Sequence, residues 1–493
     1  MSSSAIPRES TSPRVLAAVR DRPWPVVVWG AMAVWSVVLF GIVRDGFLHY
    51  RVGRFDLGNM VQAVWSTTEG RPLQNTHGAT GELMSRLGGH VDPFLVLLAP
   101  AWMLWPSPLV LGLAQVVVVA LGALPVFWLA RKHLHSERTA GLLAVAYLAY
   151  PWLALTAAAS IHPVTFAIPL FLFCVWFLDE HRFAPFAVCA VLAMSTGELM
   201  GLPIAGLGIW YALARGRRFT GFVIALAGAA WTFVAVYVVV RAFADGDSIF
   251  YGFYDHVGGS PDGVLRTLFT DPGVVVSALL ESHDVVYLVW LGLPLLFLFV
   301  LSPALAFVAI PQLLANTLSD FRSMSDPRYH SIAAVIPFLI AATIFGIARI
   351  RPTRQAPAVA AVLVCSAAIA LFVGPWVRAV GMTPLGGRAS VSEARVDALN
   401  AAIALVPAAE PVTASNVAGA HLSARQYVYT VPVLEEATWA VVDRADPWTV
   451  SRNSPLLTNH PEIVSAFVAR LDADRHWHRV LDRSGVVVFR KVS

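Results

Sequence analysis

A long succession of apolar stretches, each roughly 16–24 residues, decides what this chain can fold into. Stretches of that length cross a bilayer as helices, because a helix satisfies its own backbone N–H and C=O groups where there is no water. Strand-like alternation is absent from them, which argues against a transmembrane barrel. Composition agrees. Of 493 residues, 57% are hydrophobic and only 13% are charged, against about 25% charged in an ordinary soluble domain. The expected fold class is an all-α polytopic membrane protein.

Charge and cysteine exclude other classes. Lys132 and Lys491 are the only lysines, so arginine carries nearly all of the positive charge behind a formal net of +4. No basic cluster is interleaved with aromatics, so nucleic acid is not an expected partner. Cys174, Cys189 and Cys365 all lie inside apolar stretches. No disulfide framework or thiolate metal site is expected outside the membrane.

Spans are expected at about 24–43, 108–130, 139–157, 163–179, 183–197, 199–214, 219–242, 285–301, 303–319, 331–348 and 356–375. Arginine-rich short loops orient them. These are the N-terminus (Arg8, Arg14, Arg20, Arg22), Arg131 with Lys132 and Arg138, Arg182, Arg215 with Arg217 and Arg218, and Arg349 with Arg351 and Arg354. Most can be cytoplasmic together if residues 93–130 cross only once. The run 93–105 is short, begins at Pro93 and contains Trp102 and Trp105, so it reads as an interfacial or re-entrant helix. The result is about eleven spans with the N-terminus inside and the C-terminus outside; a count of about twelve puts basic loops on the wrong side. The first span reads as a retained anchor, since no small-residue cleavage site follows it.

The expected organisation is a cytoplasmic segment 1–23, a transmembrane domain 24–375 and an extracytoplasmic domain 376–493. Outer loops cover 44–107 and 243–284. The last region alternates strand-like patches (411–414, 438–442, 485–490) with helix-like ones (391–405, 461–471). That alternation fits a small α/β domain of roughly 110 residues.

The polar residues at the membrane edge gather on the outer side of this topology. Asp56, in Arg54-Phe55-Asp56-Leu57-Gly58-Asn59, is either a surface partner of Arg54 or a general base at a site opening toward lipid. Gly58 permits close backbone approach beside it. In Gly89-His90-Val91-Asp92-Pro93, Asp92 suits a helix N-cap and His90 suits phosphate binding or proton transfer. His162 precedes Pro163 at a helix start and reads equally as an interface residue. Glu198 sits in a nearly unbroken apolar run, where a carboxylate is functional by default unless protonated or paired with an arginine.

A last cluster precedes the tenth span: Asp320, Arg322, Asp326, Arg328, Tyr329 and His330. An arginine fork suits bidentate phosphate recognition, and the tyrosine and histidine suit a sugar or phosphate. The alternative is a loop whose acids and arginines pair with each other. Residues 251–256 could cover the site as a lid. None of these motifs is specific alone; their shared side is the signal.

At these residues the chain resembles the bacterial membrane-protein family of domain of unknown function 2079. The pattern is Phe55-Asp56-Leu57-Gly58, Gln62, Trp65 and Gly70, then Gly89-His90, Pro93, Pro100, Pro106-Ser107-Pro108 and Gln115. His162-Pro163, Glu198, Arg328-Tyr329-His330 and the C-terminal Leu422-Ser423, Arg425, Val428-Tyr429 and Pro432 fit it too. The resemblance runs over nearly the whole chain. The layout is similar to the GT-C superfamily of polytopic glycosyltransferases. Those enzymes place an acid in the first outer loop, then a juxtamembrane helix, and use a sugar on a polyprenyl phosphate or diphosphate. The likeness puts Asp56 at the position of the catalytic acid. Leu57 departs from the paired acids of some such enzymes.

The resemblance therefore implies sugar transfer from a polyprenyl-phosphate donor to a glycan or lipid acceptor of the cell envelope, at the outer face of the bacterial cytoplasmic membrane. Asp56 would be the base. Arg328, with His330 or His90, would hold the donor phosphate, with Tyr329 beside it as a substrate-binding residue. Asp92 and Glu198 could orient the sugar or the histidines, or bind a divalent metal through oxygen. The C-terminal domain would hold an acceptor or partner. The competing class is a transporter or a non-catalytic lipid- or glycan-binding protein, which buried acids and histidines also mark. A third is an assembly protein using only its outer domain.

Overall fold

The computed structural model describes residues 23–244, 249–380, 391–451 and 454–492. The basic residues Arg8, Arg14, Arg20 and Arg22, and with them all of the expected cytoplasmic segment except Pro23, lie outside the described residues.

Helices dominate up to Val380, and their apolar sequence explains them. Four are long and apolar enough to cross a membrane: Pro23–Leu48, Pro108–Leu134, Arg218–Ala244 and Pro352–Val373. The pairs Glu137–Ala149 with Pro151–Ala158 and Pro272–Leu279 with His283–Leu295 bend by 49° and 54°, and counting each as one span gives six. Other expected spans are shorter apolar helices: Pro163–Asp179, Phe183–Met194, Glu198–Ala214, Pro303–Thr317 and Ile336–Ala348. At about 1.5 Å per residue these fall short of a hydrocarbon core of about 30 Å. The expected count of about eleven is thus not matched by length, because breaks at residues such as Pro151, Pro303 and Pro337 shorten what reads as continuous apolar sequence. Residues 93–105 form the short apolar helix Pro93–Leu104, with Trp102 buried and Met103 and Leu104 exposed.

The bundle buries apolar side chains inward while others stand outward, with Val37 73%, Leu213 80% and Phe219 81% exposed. Such exposure suits lipid rather than water. Buried polar groups tie the helices together. Trp35 Nε1 donates to the Leu148 carbonyl at 2.8 Å, and Tyr150 Oη donates to that of Leu291 at 2.8 Å. At one end, the buried Asp179 accepts from His133 Nε2 at 2.9 Å, sits 2.8 Å from Lys132 Nζ and pairs with Arg215. Lys132 and Arg215, two of the basic residues expected on one membrane side, therefore do meet at one end.

After the first helix the chain forms a π-helical turn, Arg54–Gly58, and a helix, Asn59–Thr68. The antiparallel pair β1 (Gln74–Thr76) and β2 (Leu83–Ser85) follows. The C-terminal region holds a five-stranded mixed sheet of order β4-β3-β5-β9-β8. Here β3 is Val412–Ala414, β4 Val428–Thr430, β5 Trp439–Asp443, β8 Trp477–Arg483 and β9 Val486–Lys491, while β6 (Trp448–Ser451) and β7 (Ser454–Asn459) pair separately. Alternate residues face opposite layers. Val441, Val486 and Val488 pack on the Glu393–Leu405 side with Leu399 and Ala402. Ala440, Val442, Val487 and Phe489 pack with Phe467 and Leu471 of the Pro461–Ala473 helix. The α/β expectation is met.

Where this region meets the first helix, the His421 ring stacks on Phe47 and Tyr50, with centroids 4.0 and 4.3 Å away. Burial pulls His421 down to about 4. An undocked His421 titrates near 6.5. As pH falls from 6.5 toward 4, the undocked state therefore gains a proton that the docked state does not, and stability is lost by up to about 3 kcal/mol. Thermal unfolding between pH 7.5 and 4.5 checks this. His421→Phe should flatten that dependence.

Candidate functional site

The opposite end of the bundle from Asp179 gathers the acids and histidines. The π-turn, a local form common at functional sites, presents Asp56 with half of its side chain exposed, and His162 Nε2 lies 3.8 Å from its Oδ1. Two bonds fix His162. Its backbone N–H donates to Gln115 Oε1 at 3.0 Å, and its Nδ1 lies 2.9 Å from the Ser160 carbonyl. A carbonyl only accepts, so Nδ1 carries the hydrogen and Nε2 is the nitrogen turned to Asp56. Gln115, buried in the Pro108–Leu134 span, also donates to the Ala157 carbonyl at 3.1 Å. One amide thus holds both ends of the break before Pro163.

His330 stacks on His162 with centroids 3.6 Å apart and planes 13° from parallel. Burial, with His162 and His90 nearby, holds His330 well below the usual histidine range. Beyond it, His90 Nδ1 meets Glu198 Oε1 at 3.3 Å, and Glu198 Oε2 accepts from the Val91 N–H at 3.1 Å. Glu198 is therefore paired with a histidine and a backbone amide, not with an arginine.

Asp92 takes a different part. It occupies the position before the Pro93–Leu98 turn without capping it through its side chain. Its buried carboxylate accepts from Arg86 Nε at 2.8 and 3.0 Å and from Nη2 at 2.6 Å. Arg328 closes its fork on Asp326, with Nε 2.9 and 3.1 Å and Nη2 2.6 Å from the two oxygens. Tyr329 beside it is exposed.

Residues 251–256 fall in a 3₁₀ stretch, Ile249–Val257, that covers this end. Phe250 stacks on His90 at 4.7 Å, Phe253 on Phe321 at 4.8 Å, and His256 Nδ1 meets Asp320 Oδ2 at 2.9 Å. Among the described residues no three His, Cys, Asp or Glu side chains converge as metal ligands. Arg86 and Phe250 carry no sequence motif. The signal for Arg86 is that an acid in an apolar stretch needs a cation, and Arg86 is near in sequence. A ring stacked on His90 from a distant loop leaves none.

In architecture the chain is similar to ArnT from Cupriavidus metallidurans bound to undecaprenyl phosphate. The TM-score is 0.53 at 12% identity, over 94% of this chain and 98% of that one. The apo oligosaccharyltransferase of Archaeoglobus fulgidus gives 0.47 at 12% identity, over 84% and 69%. The same organism's AglB with an inhibitory peptide and a dolichol-phosphate gives 0.45 at 11%, over 84% and 69%. At those scores the archaeal likenesses carry no argument. The likeness to ArnT is one of fold. The chain belongs to the family described as predicted membrane protein, DUF2079, whose profile matches residues 48–488. No curated protein sequence matches it.

Proposed function

We propose that the protein is a membrane glycosyltransferase, moving a sugar from a polyprenyl-phosphate donor to a cell-envelope acceptor on the outer face of the cytoplasmic membrane. In this reading the chain crosses about eleven times, with the N-terminus inside and residues 376–493 outside. One observation carries the proposal. Three segments far apart in sequence bring Asp56, His162 and His330 together, and Asp56 is on the loop that, in the GT-C layout, bears the catalytic acid. ArnT, the similar solved structure, binds undecaprenyl phosphate, which supports a lipid phosphate as the donor's carrier.

The chemistry follows from the side chains. The acceptor hydroxyl oxygen bonds to the anomeric carbon. The bond from that carbon to the phosphate oxygen breaks, and its electron pair leaves on the lipid phosphate. Asp56 takes the hydroxyl proton, with His162 Nε2 beside it to stabilise the result. A phosphate is a good leaving group, so no general acid is required. Arg328 supplies positive charge for the phosphate by exchanging Asp326 for it, and His90, oriented by Glu198, adds a donor. Tyr329 offers its hydroxyl to the sugar. Asp92 supports the loop through Arg86 instead of touching substrate.

Purified protein in lipid, given a radiolabelled polyprenyl-phosphate sugar and an envelope extract, should transfer label to a non-donor product. Label that stays on the donor with every such sugar, while the lipid phosphate still binds, overturns the reading in favour of a lipid-binding protein.

A further inference from the structure

The turn that bears Asp56 is bolted to the C-terminal domain, and the bolts are the two motif regions of the sequence. Arg54, 1% exposed, donates from Nη1 to Thr430 Oγ1 at 2.9 Å and from Nη2 to the Thr76 carbonyl at 3.0 Å. It makes no ion pair among the described residues. Its Nε is buried without a partner. The Phe55 N–H donates to Asn416 Oδ1 at 3.1 Å. Gln62 Nε2 reaches the carbonyls of Arg425 at 3.1 Å and Gln426 at 2.9 Å, and its Oε1 accepts from the Thr76 N–H at 2.9 Å.

Two glycines admit the contact. A Cβ on Gly58 would lie 2.4 Å from Ser423 Oγ, and one on Gly53 would lie 2.1 Å from Asn416 Nδ2. The clearance at Gly58 is thus filled by this chain's own serine, not by a ligand. A buried guanidinium without a counter-charge is costly to fold. Its cost has to be offset by what it holds, and what it holds, from two residues before Asp56, is Thr430 of the C-terminal domain and the Thr76 carbonyl.

We propose that the C-terminal domain is the positioning device for Asp56, acting through Arg54, Gln62 and Asn416, so that its docking sets the rate of sugar transfer rather than the affinity for donor. The rate half of this rests on the reading of Asp56 as the base; the mechanical half does not. Arg54, Gln62 and Asn416 are positioning residues. A displacement of about 1 Å at a reacting group costs about 100-fold.

The test uses the full chain in lipid nanodiscs and two measurements. Hydrogen exchange is followed on the peptide covering 53–62, with the peptides of β5 and β9 as internal controls. Asn416→Ala and Thr430→Val should each speed exchange of the turn about 10-fold while the control peptides hold steady. In transfer kinetics, Arg54→Met should lower kcat about 100-fold with the donor KM within about twofold, and Arg54→Lys should recover to within about tenfold of wild type. Unchanged exchange of the turn in both variants overturns the positioning role, whatever the activity. A raised KM at constant kcat overturns the rate claim. If Asp56→Asn keeps full transfer while exchange behaves as expected, the catalytic reading has failed and the mechanical coupling stands.

Discussion

Asp56→Asn is expected to lower sugar transfer by about 1,000-fold while leaving the protein folded. A positioned general base contributes roughly 10²–10⁴-fold, and asparagine keeps the shape of the side chain without the capacity to take a proton. Structure should survive, because the Asp56 side chain is half exposed and its ion-pair contact with His162 is long, at 3.8 Å. Exposed substitutions of this kind usually move stability by less than about 0.5 kcal/mol. Thermal unfolding and binding of the lipid phosphate are therefore expected to match wild type. His162→Ala should cost less, about 10- to 100-fold, since it removes the neighbour and not the base. Full activity in folded Asp56→Asn protein would remove Asp56 from the chemistry.

Much of the site was legible from side and spacing. Asp56, His90, His162, Glu198 and His330 share one end because apolar lengths and basic loops fix which ends of the helices lie together, and Lys132 and Arg215 around Asp179 show the same logic at the other end. What the side chains do there was less legible. Arg54 reads in sequence as a surface partner for Asp56, yet it is buried against Thr430 and Thr76. No local pattern reveals a partner 376 residues away. In the C-terminal domain, three expected strands and two helices match closely: the strands are short buried runs rich in valine, and the helices carry buried residues at helical spacing. The edge strand β8, Trp477–Arg483, is mostly exposed and charged, so it lacks the alternation that marks a strand. Strand β4, Val428–Thr430, is three residues long and all buried, and no expected patch covers it.

Asp92 gives the sharpest test of structure against chemistry, because the sequence offered it as a helix cap, the resemblance added orienting the sugar or the histidines or binding a metal, and its carboxylate pairs with Arg86. Both partners are nearly out of contact with solvent, their side chains 8% and 3% exposed. Removing either one strands a charge in a low-dielectric setting, which costs about 3–5 kcal/mol. Asp92→Ala and Arg86→Ala should each destabilise the protein by that amount. The loss is a large part of a typical total of about 5–15 kcal/mol. Replacing both with apolar residues of similar size, as in Arg86→Met with Asp92→Leu, removes the stranded charge and should restore most of the stability. The double variant then separates the two roles. If the pair only shapes the loop that carries His90, restored folding brings transfer back to within about tenfold, since His90 keeps its bond to Glu198. If Asp92 touches sugar, the double variant folds and stays as inactive as Asp92→Ala. Thermal unfolding and transfer rates of the three variants decide between them, and the expected result is that the double variant recovers most of the loss of about 3–5 kcal/mol seen in either single one, with transfer recovered.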